Sequence, residues 1–152
     1  MEFYNRKPTR IPGYDYSAQN YYFITICTHN KVKLFGKPFQ LSRYGKVAAE
    51  YMERTEHIFL GVKVDNYIVM PNHVHAIIVL GEAKDEGPNL STVIGQYKMA
   101  VTKAIRKDCP EIVVWQRSFH DHIIRNQADY ERIWEYVQYN PEKWESDCFY
   151  CE

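Results

Sequence analysis

Long apolar runs are what this chain most plainly lacks. No stretch approaches the roughly 20 apolar residues that a bilayer-spanning helix needs, and the polar, basic N-terminus has no apolar signal core. Together these absences lead to the expectation of a soluble, cytoplasmic protein. A disulfide framework is missing too. The four cysteines stand at 27, 109, 148 and 151, and although Cys148 and Cys151 have Cys-x-x-Cys spacing, a single pair at the tail supplies only half the ligands of a zinc knuckle. Net charge is also absent, at +0, which at first argues against a nucleic-acid partner. Its distribution argues the other way: residues 1–46 hold 8 Lys/Arg against 2 Asp/Glu, and residues 91–128 hold 6 against 3, while 47–90 (3 against 7) and 129–152 (2 against 7) are acidic. Such segregation can build a basic face on a neutral protein.

What is present is 152 residues, 45% apolar and 15% aromatic, enough for one core and too few for two comfortable domains. A single domain is expected, with a basic arm at 1–20 and a tail at 145–152. The centre of the chain is Tyr67-Ile68-Val69-Met70-Pro71-Asn72-His73-Val74-His75-Ala76-Ile77-Ile78-Val79-Leu80. Two β-branched runs flank a Pro-Asn turn, which predicts a hairpin over about 62–69 and 73–80. Alternation then sends His73 and His75 to one face beside Ile77 and Val79, and Val74, Ala76 and Ile78 to the other. Two imidazoles so placed are costly to leave unpaired and able to share one ion.

Around the hairpin the pattern reads strand 21–29, basic loop (Lys31, Lys33, Lys37), helix from about Ser42 to Phe59, hairpin, polar loop Gly81–Asn89, and helix from about Leu90 to Lys107. Short strands at 112–116 and 118–125 follow, then a helix over Tyr130–Trp144. The order is that of a ferredoxin-like β-α-β-β-α-β α+β domain with an added C-terminal helix. In the first helix the apolar stripe is either Val47, Tyr51 and Ile58 or Met52, Thr55 and Phe59. In the last helix Tyr136 and Asn140 are four residues apart, on one side with the stripe of Ile133 and Val137. Pro141 should stop that helix by pushing Asn140 out of the α region. A tyrosine on such a face can equally be a core anchor.

Several segments suit DNA. The arm carries Arg6, Lys7 and Arg10 among Pro8, Pro12 and Gly13, with Tyr14 and Tyr16 after them, a mixture that fits guanidinium to phosphate and ring to base and, on composition alone, equally fits a solubilising tail. The second helix is basic through Lys98, Lys103, Arg106 and Lys107, and Arg117 and Arg125 border the last strand. His120-Asp121-His122 is a second His-x-His and competes with the first for a metal; Asp121 should face away from both imidazoles.

The motifs Met-Pro-Asn-His-Val-His at 70–75, Trp-Gln-Arg-Ser-Phe-His-Asp-His-Ile-Ile-Arg-Asn at 115–126 and Tyr-Val-Gln-Tyr-Asn-Pro-Glu-Lys-Trp at 136–144 resemble the REP-associated tyrosine transposases. These belong to the single-tyrosine HUH nuclease superfamily, named for His, hydrophobic, His. The opening Arg10-Ile11-Pro12-Gly13-Tyr14-Asp15-Tyr16-Ser17 is similar as well, so the likeness runs from about residue 6 to 146. It implies a metal-dependent endonuclease and strand transferase acting on single-stranded DNA near hairpins. It also implies that His73, His75 and Asn140 hold a divalent cation, Mg²⁺ or Mn²⁺, and that Tyr136 attacks phosphorus to leave a 5′-phosphotyrosine and a free 3′-hydroxyl. His120 and His122 match a second family motif and are expected to support the site or touch DNA. Many single-tyrosine relatives carry Gln where Asn140 stands, and Asn is the form of the REP-associated branch.

A phenol, with a reference pKa of about 10, attacks phosphate poorly at neutral pH unless a cation lies close. Tyr130 and Tyr139 are alternative nucleophiles, worse placed on the helix. A non-catalytic hairpin-binding module for DNA or RNA on the same fold is the competing reading. A metal-dependent hydrolase is disfavoured, since no carboxylate lies within the His73–His75 motif to serve as base. The resemblance implies single-stranded or hairpin DNA as partner, with homodimer and monomer both open.

Overall fold

In a computed structural model the structure describes residues 20–81, 88–147 and 149. Arg6, Lys7, Arg10 and Tyr14 of the expected arm, most of the 81–89 loop, and Cys148 and Cys151 lie outside them. In chain order the elements are β1 (Asn20–Cys27), the two-residue strands β2 (Gly36–Lys37) and β3 (Gln40–Leu41), α1 (Arg43–Ile58), β4 (Val62–Met70) and β5 (His73–Leu80). There follow α2 (Leu90–Ile105), β6 (His120–Ile124), α3 (Gln127–Tyr139) and a 3₁₀ turn over Asn140–Ser146.

The main sheet has the order β4-β5-β1-β6, with every neighbouring pair antiparallel. This is the expected β-α-β-β-α-β winding, in which both crossovers carry a helix to the same face. On that face Tyr22, Ile24, Ile26, Val74, Ala76 and Ile78 pack against Met52, Val93, Ile94 and Val101 of α1 and α2. The first helix thus buries its Met52–Thr55 stripe and leaves Ile58 52% exposed. The opposite face is covered by α3 through a small cluster of Ile77, Ile124, Ile133 and Val137, flanked by Phe23, Ile68 and Tyr130. Each such side chain contributes roughly 1.5–3 kcal/mol when fully buried, so α3 is seated on far less apolar surface than α1 and α2.

Helix starts follow their caps. Ser42, Asn89 and Asn126 each accept a hydrogen bond from the backbone N–H three residues on, those of Gly45, Thr92 and Asp129. Asn126 therefore starts α3 three residues before the expected Tyr130. Its end differs too. Asn140 keeps α-region angles (φ −57°, ψ −39°), so Pro141 does not act by expelling its predecessor; it lacks the N–H that would continue the α ladder, and the chain tightens into the 3₁₀ turn. The expected strand at 112–116 is not a strand: only an isolated bridge joins Trp115 to Thr28. Backbone pairing there stops at two hydrogen bonds, His29 N–H to the Val114 carbonyl and Gln116 N–H to that of Cys27, and side chains take up the neighbouring carbonyls: Lys98 Nζ donates to those of Gln116 and Ser118, and Arg106 Nε to that of Ile112.

Candidate metal and nucleophile site

The antiparallel register decides which side chains meet. Across the α3 face His73 lies opposite Cys27 of β1, and His75 opposite Thr25. The two imidazole centroids are 4.5 Å apart, and both residues are buried, at 0% and 1% exposure.

Each imidazole is oriented by its Nδ1. Asn72 Nδ2 donates to the Phe149 carbonyl at 2.7 Å, leaving Asn72 Oδ1 to accept from His73 Nδ1–H at 2.8 Å. Thr25 Oγ1 lies 2.9 Å from His75 Nδ1. The Nε2 atoms of both rings are buried and make no hydrogen bond. Burial, with smaller opposing effects from Asp147 and Asn140, lowers the His73 pKa to about 4. Burial and the neighbouring His73 lower that of His75 well below the ordinary histidine value. Near neutral pH both are uncharged, and His73 directs an Nε2 lone pair into the site; this is the protonation state a metal ligand needs.

Asn140, at the end of α3, is 2% exposed. Its Nδ2 donates to Asp147 Oδ2 at 2.7 Å, and its Oδ1 is buried without a partner. Asp147 Oδ2 is also 3.7 Å from His73 Nε2, and nitrogen or oxygen atoms of His73, His75 and Asp147 all fall within 4.8 Å of one another. Three unpaired buried ligand atoms beside a carboxylate are what a cation would satisfy and what a dry core would not tolerate. The residues present fit a divalent ion.

Tyr136, one turn before Asn140, places its ring 5.3 Å from that of His75 and 6.0 Å from that of Phe23, both edge-on, and is 39% exposed. The Tyr136 ring therefore touches His75 while staying partly open to solvent. The alternatives do not share this position. Tyr130 donates its hydroxyl to Asp65 across α3, and that bond, with burial, pushes it up to about 12; Tyr139 is 48% exposed on another side of the helix.

Two residues of the site were invisible to sequence reasoning. Asp147 and Phe149 lie in what reads as a tail, yet the Phe149 ring is 4.6 Å from His73 and its N–H bonds Asp147 Oδ1. No local pattern marks them; only the return of the chain after Pro141 brings them back.

The other candidate residues do not join this ligand group. His120 and His122 share the α3 face on the edge strand, opposite Thr25 and Phe23. His122 Nε2 is 2.8 Å from Asp129 Oδ2 of α3, and Asp129, which also bonds Arg132, has its pKa lowered chiefly by His122. These two histidines tie β6 to α3 or face solvent, and among the described residues they do not form a second ligand group with a third His, Cys, Asp or Glu. Lys98, Lys103, Arg106 and Arg117 line a groove of about 900 Å³ between α2 and the 113–118 loop. Lys98 and Arg106 are engaged there in holding that loop, and Lys103 and Arg117 are exposed. Arg125 borders a separate hollow of about 330 Å³ with Tyr21, Asn126 and Tyr130.

Comparison with known proteins follows this geometry. A family model described as "Transposase IS200 like" matches residues 16–140. An uncharacterized protein of Haemophilus influenzae is 32% identical, covering 98% of this chain and 95% of its own length. A putative REP-associated tyrosine transposase of the same organism is 28% identical over 85% of this chain and 74% of its own. Among solved structures, a REP-associated tyrosine transposase bound to a REP hairpin superposes with a TM-score of 0.62 at 20% identity, covering 88% of this chain and 73% of that one.

Proposed function

This chain belongs to the IS200-like transposase family, with its likeness to REP-associated tyrosine transposases, and we propose that it cleaves and rejoins single-stranded DNA beside hairpins through Tyr136. The observation that carries the reading is the convergence of His73 Nε2, His75 Nε2 and Asn140 Oδ1, all buried and unpaired, under the accessible ring of Tyr136. These three atoms, with Asp147 beside them, would hold a divalent cation. Two imidazole donors suit Zn²⁺ by affinity, while the oxygen-rich phosphate of the reaction favours Mg²⁺ or Mn²⁺. Bound there, the cation supplies Lewis acidity toward a phosphate oxygen.

The chain's own residues do the rest. Asn72 and Thr25 orient the two imidazoles, and Ile133 and Val137 fix α3 so that Tyr136 stands over His75. Tyr136 Oη attacks phosphorus, forming an O–P bond as the P–O3′ bond breaks. The phenol loses its proton, the departing 3′-oxygen gains one, and the 5′-phosphate stays on the tyrosine. Attack by a 3′-hydroxyl on that linkage reverses the step and joins strands with no external energy source. Nucleophile and ligands come from one chain, so a single copy suffices for cleavage. An unpaired strand can lay its phosphate against the Tyr136 side of the site, whereas a rigid duplex would meet α3.

A second reading, a hairpin-binding module without chemistry, draws support from Asp147 and Phe149, which cover His73 from the C-terminal side. The discriminating experiment incubates the protein with labelled hairpin DNA carrying single-stranded flanks from beside its own gene, with Mn²⁺ or Mg²⁺, followed by a denaturing gel. A DNA-linked protein band that disappears in Tyr136→Phe and His73→Ala supports the nuclease. Tight binding without any such band supports the module.

A further inference from the structure

The segment between β1 and α1 has features that neither the fold nor the reaction above requires. No acidic residue occurs between Asp15 and Glu50, and Lys31, Lys33 and Lys37 are all exposed. Among the described residues four non-glycine positions have positive φ, and three fall here: Asn30 (54°), Lys31 (55°) and Phe39 (61°). Asparagine tolerates that region; a bulky aromatic residue does so only under strain. Phe39 stands at the turn between β2 and β3 and is 77% exposed. Its ring gains almost nothing from burial, so neither packing nor backbone preference accounts for a phenylalanine there. Held strain of this sort concentrates where a protein meets a ligand.

The base of this small hairpin is fixed with little slack. Phe35 N–H donates to the Pro71 carbonyl at 3.0 Å, and Ser42 N–H to the Phe35 carbonyl at 2.9 Å. A Cβ on Gly36 (φ +103°) would sit 2.4 Å from Ser42 N, and one on Gly45 would sit 2.3 Å from the Phe35 carbonyl oxygen, so the hairpin lies directly on the first turn of α1. Pro71 is in the turn that leads into His73. The exposed ring is therefore carried at the His73 end of the sheet, on the α1 side, by a mount tied to the turn that leads into His73.

We propose that Phe39 is a stacking platform for an unpaired base of the DNA strand that continues from the scissile phosphate, with Lys33 and Lys37 holding that strand's phosphates. The proposal rests on the nuclease reading for the identity of its ligand. Single-stranded DNA is the occupant that the chemistry selects: an isolated aromatic face flanked by cations matches a base with its backbone, whereas a duplex keeps its base faces covered. The platform sets where the strand's flank lies and so contributes to selection of the cleavage position.

The test uses Tyr136→Phe protein, so that binding is read without cleavage, and two fluorescein-labelled hairpins, one blunt and one with a short single-stranded tail. Phe39→Gly removes the ring and also relieves the positive φ, so its thermal midpoint should not fall. It should bind the tailed hairpin on the order of tenfold more weakly and the blunt one unchanged. Phe39→Trp should restore affinity, with tryptophan emission quenched by the tailed DNA alone. Lys33→Ala and Lys37→Ala should each reduce the salt dependence of tailed binding by about one ion. Wild-type affinity of Phe39→Gly for the tailed hairpin overturns the proposal. So does equal weakening for both hairpins, or a change of oligomeric state with DNA binding intact. Adduct formation in the otherwise wild-type chain is measured in parallel: an adduct with no Phe39 effect sinks the platform and spares the nuclease, and a Phe39 effect without an adduct does the reverse.

Discussion

The two faces of the sheet are built from the same strands and serve opposite ends. On the face under α1 and α2, alternate residues such as Ile24, Ile26 and Ile78 are fully buried in a broad apolar cluster. On the face under α3 the intervening positions of those strands carry Thr25, His73 and His75, and the apolar support shrinks to Ile77, Ile124, Ile133 and Val137. Burial is just as complete at the histidines, yet there it leaves Nε2 and Oδ1 atoms unpaired. One face concentrates stability; the other gives some of it up to keep desolvated polar groups side by side.

The sharpest break in this contrast is Tyr136→Phe. Removing the phenolic hydroxyl of this 39%-exposed residue should abolish the covalent DNA adduct on a denaturing gel while leaving hairpin affinity unchanged. Next come paired deletions of the same chemistry on the two faces. Ile78→Ala should cost near the top of the roughly 2–5 kcal/mol range for core truncations, and Ile133→Ala near the bottom. Only Ile133→Ala should lower the adduct yield per folded molecule, because it loosens the helix carrying Tyr136; equal costs in urea titrations would break the comparison.

The pH dependence of the metal-free protein probes the polar face alone. His73 is lowered to about 4 and His75 well below the ordinary histidine value, so below about 6.5 the unfolded chain takes up protons that the folded chain refuses. Stability should be full above that value and fall as pH drops toward 4, by several degrees of thermal midpoint on the order expected for a chain of this size. Mn²⁺ should raise the midpoint at pH 7.5 and nearly as much at pH 5, where burial keeps both imidazoles of the folded site neutral, and lose the effect only as pH approaches 4. A His73→Phe, His75→Phe variant should lose both dependences. The smallest effect belongs to the His122–Asp129 contact, half exposed on the histidine side. Asp129→Asn should change stability by no more than about 1 kcal/mol, and its main mark should be a modest drop in adduct yield as α3 loosens from β6.

Much of the fold was legible because two periodicities coincide with burial. Period-2 alternation in 73–80 put the histidines on the face opposite Val74, Ala76 and Ile78, and helical spacing put Tyr136 and Asn140 on one side; both placements hold in three dimensions. What escaped was set by tertiary contact. Val113 and Trp115 resemble a strand, yet pairing with β1's end stops at one bridge and Lys98 and Arg106 satisfy the carbonyls of Gln116 and Ile112 on either side of it, so two cations read as DNA contacts also serve the fold. Asp147 and Phe149 have no periodic signal, since a chain returning after a proline is placed by what it meets. Asn126 was the one readable feature overlooked: a cap residue three positions before an acid, immediately ahead of the helix.

The most direct measurement is the mass of the peptide that carries DNA after reaction with a tailed hairpin and Mn²⁺, nuclease trimming and proteolysis. The account predicts a single nucleotide-bearing peptide with the modification on Tyr136 through its 5′-phosphate. Attachment at Tyr130 or Tyr139, or linkage through a 3′-phosphate, would contradict it.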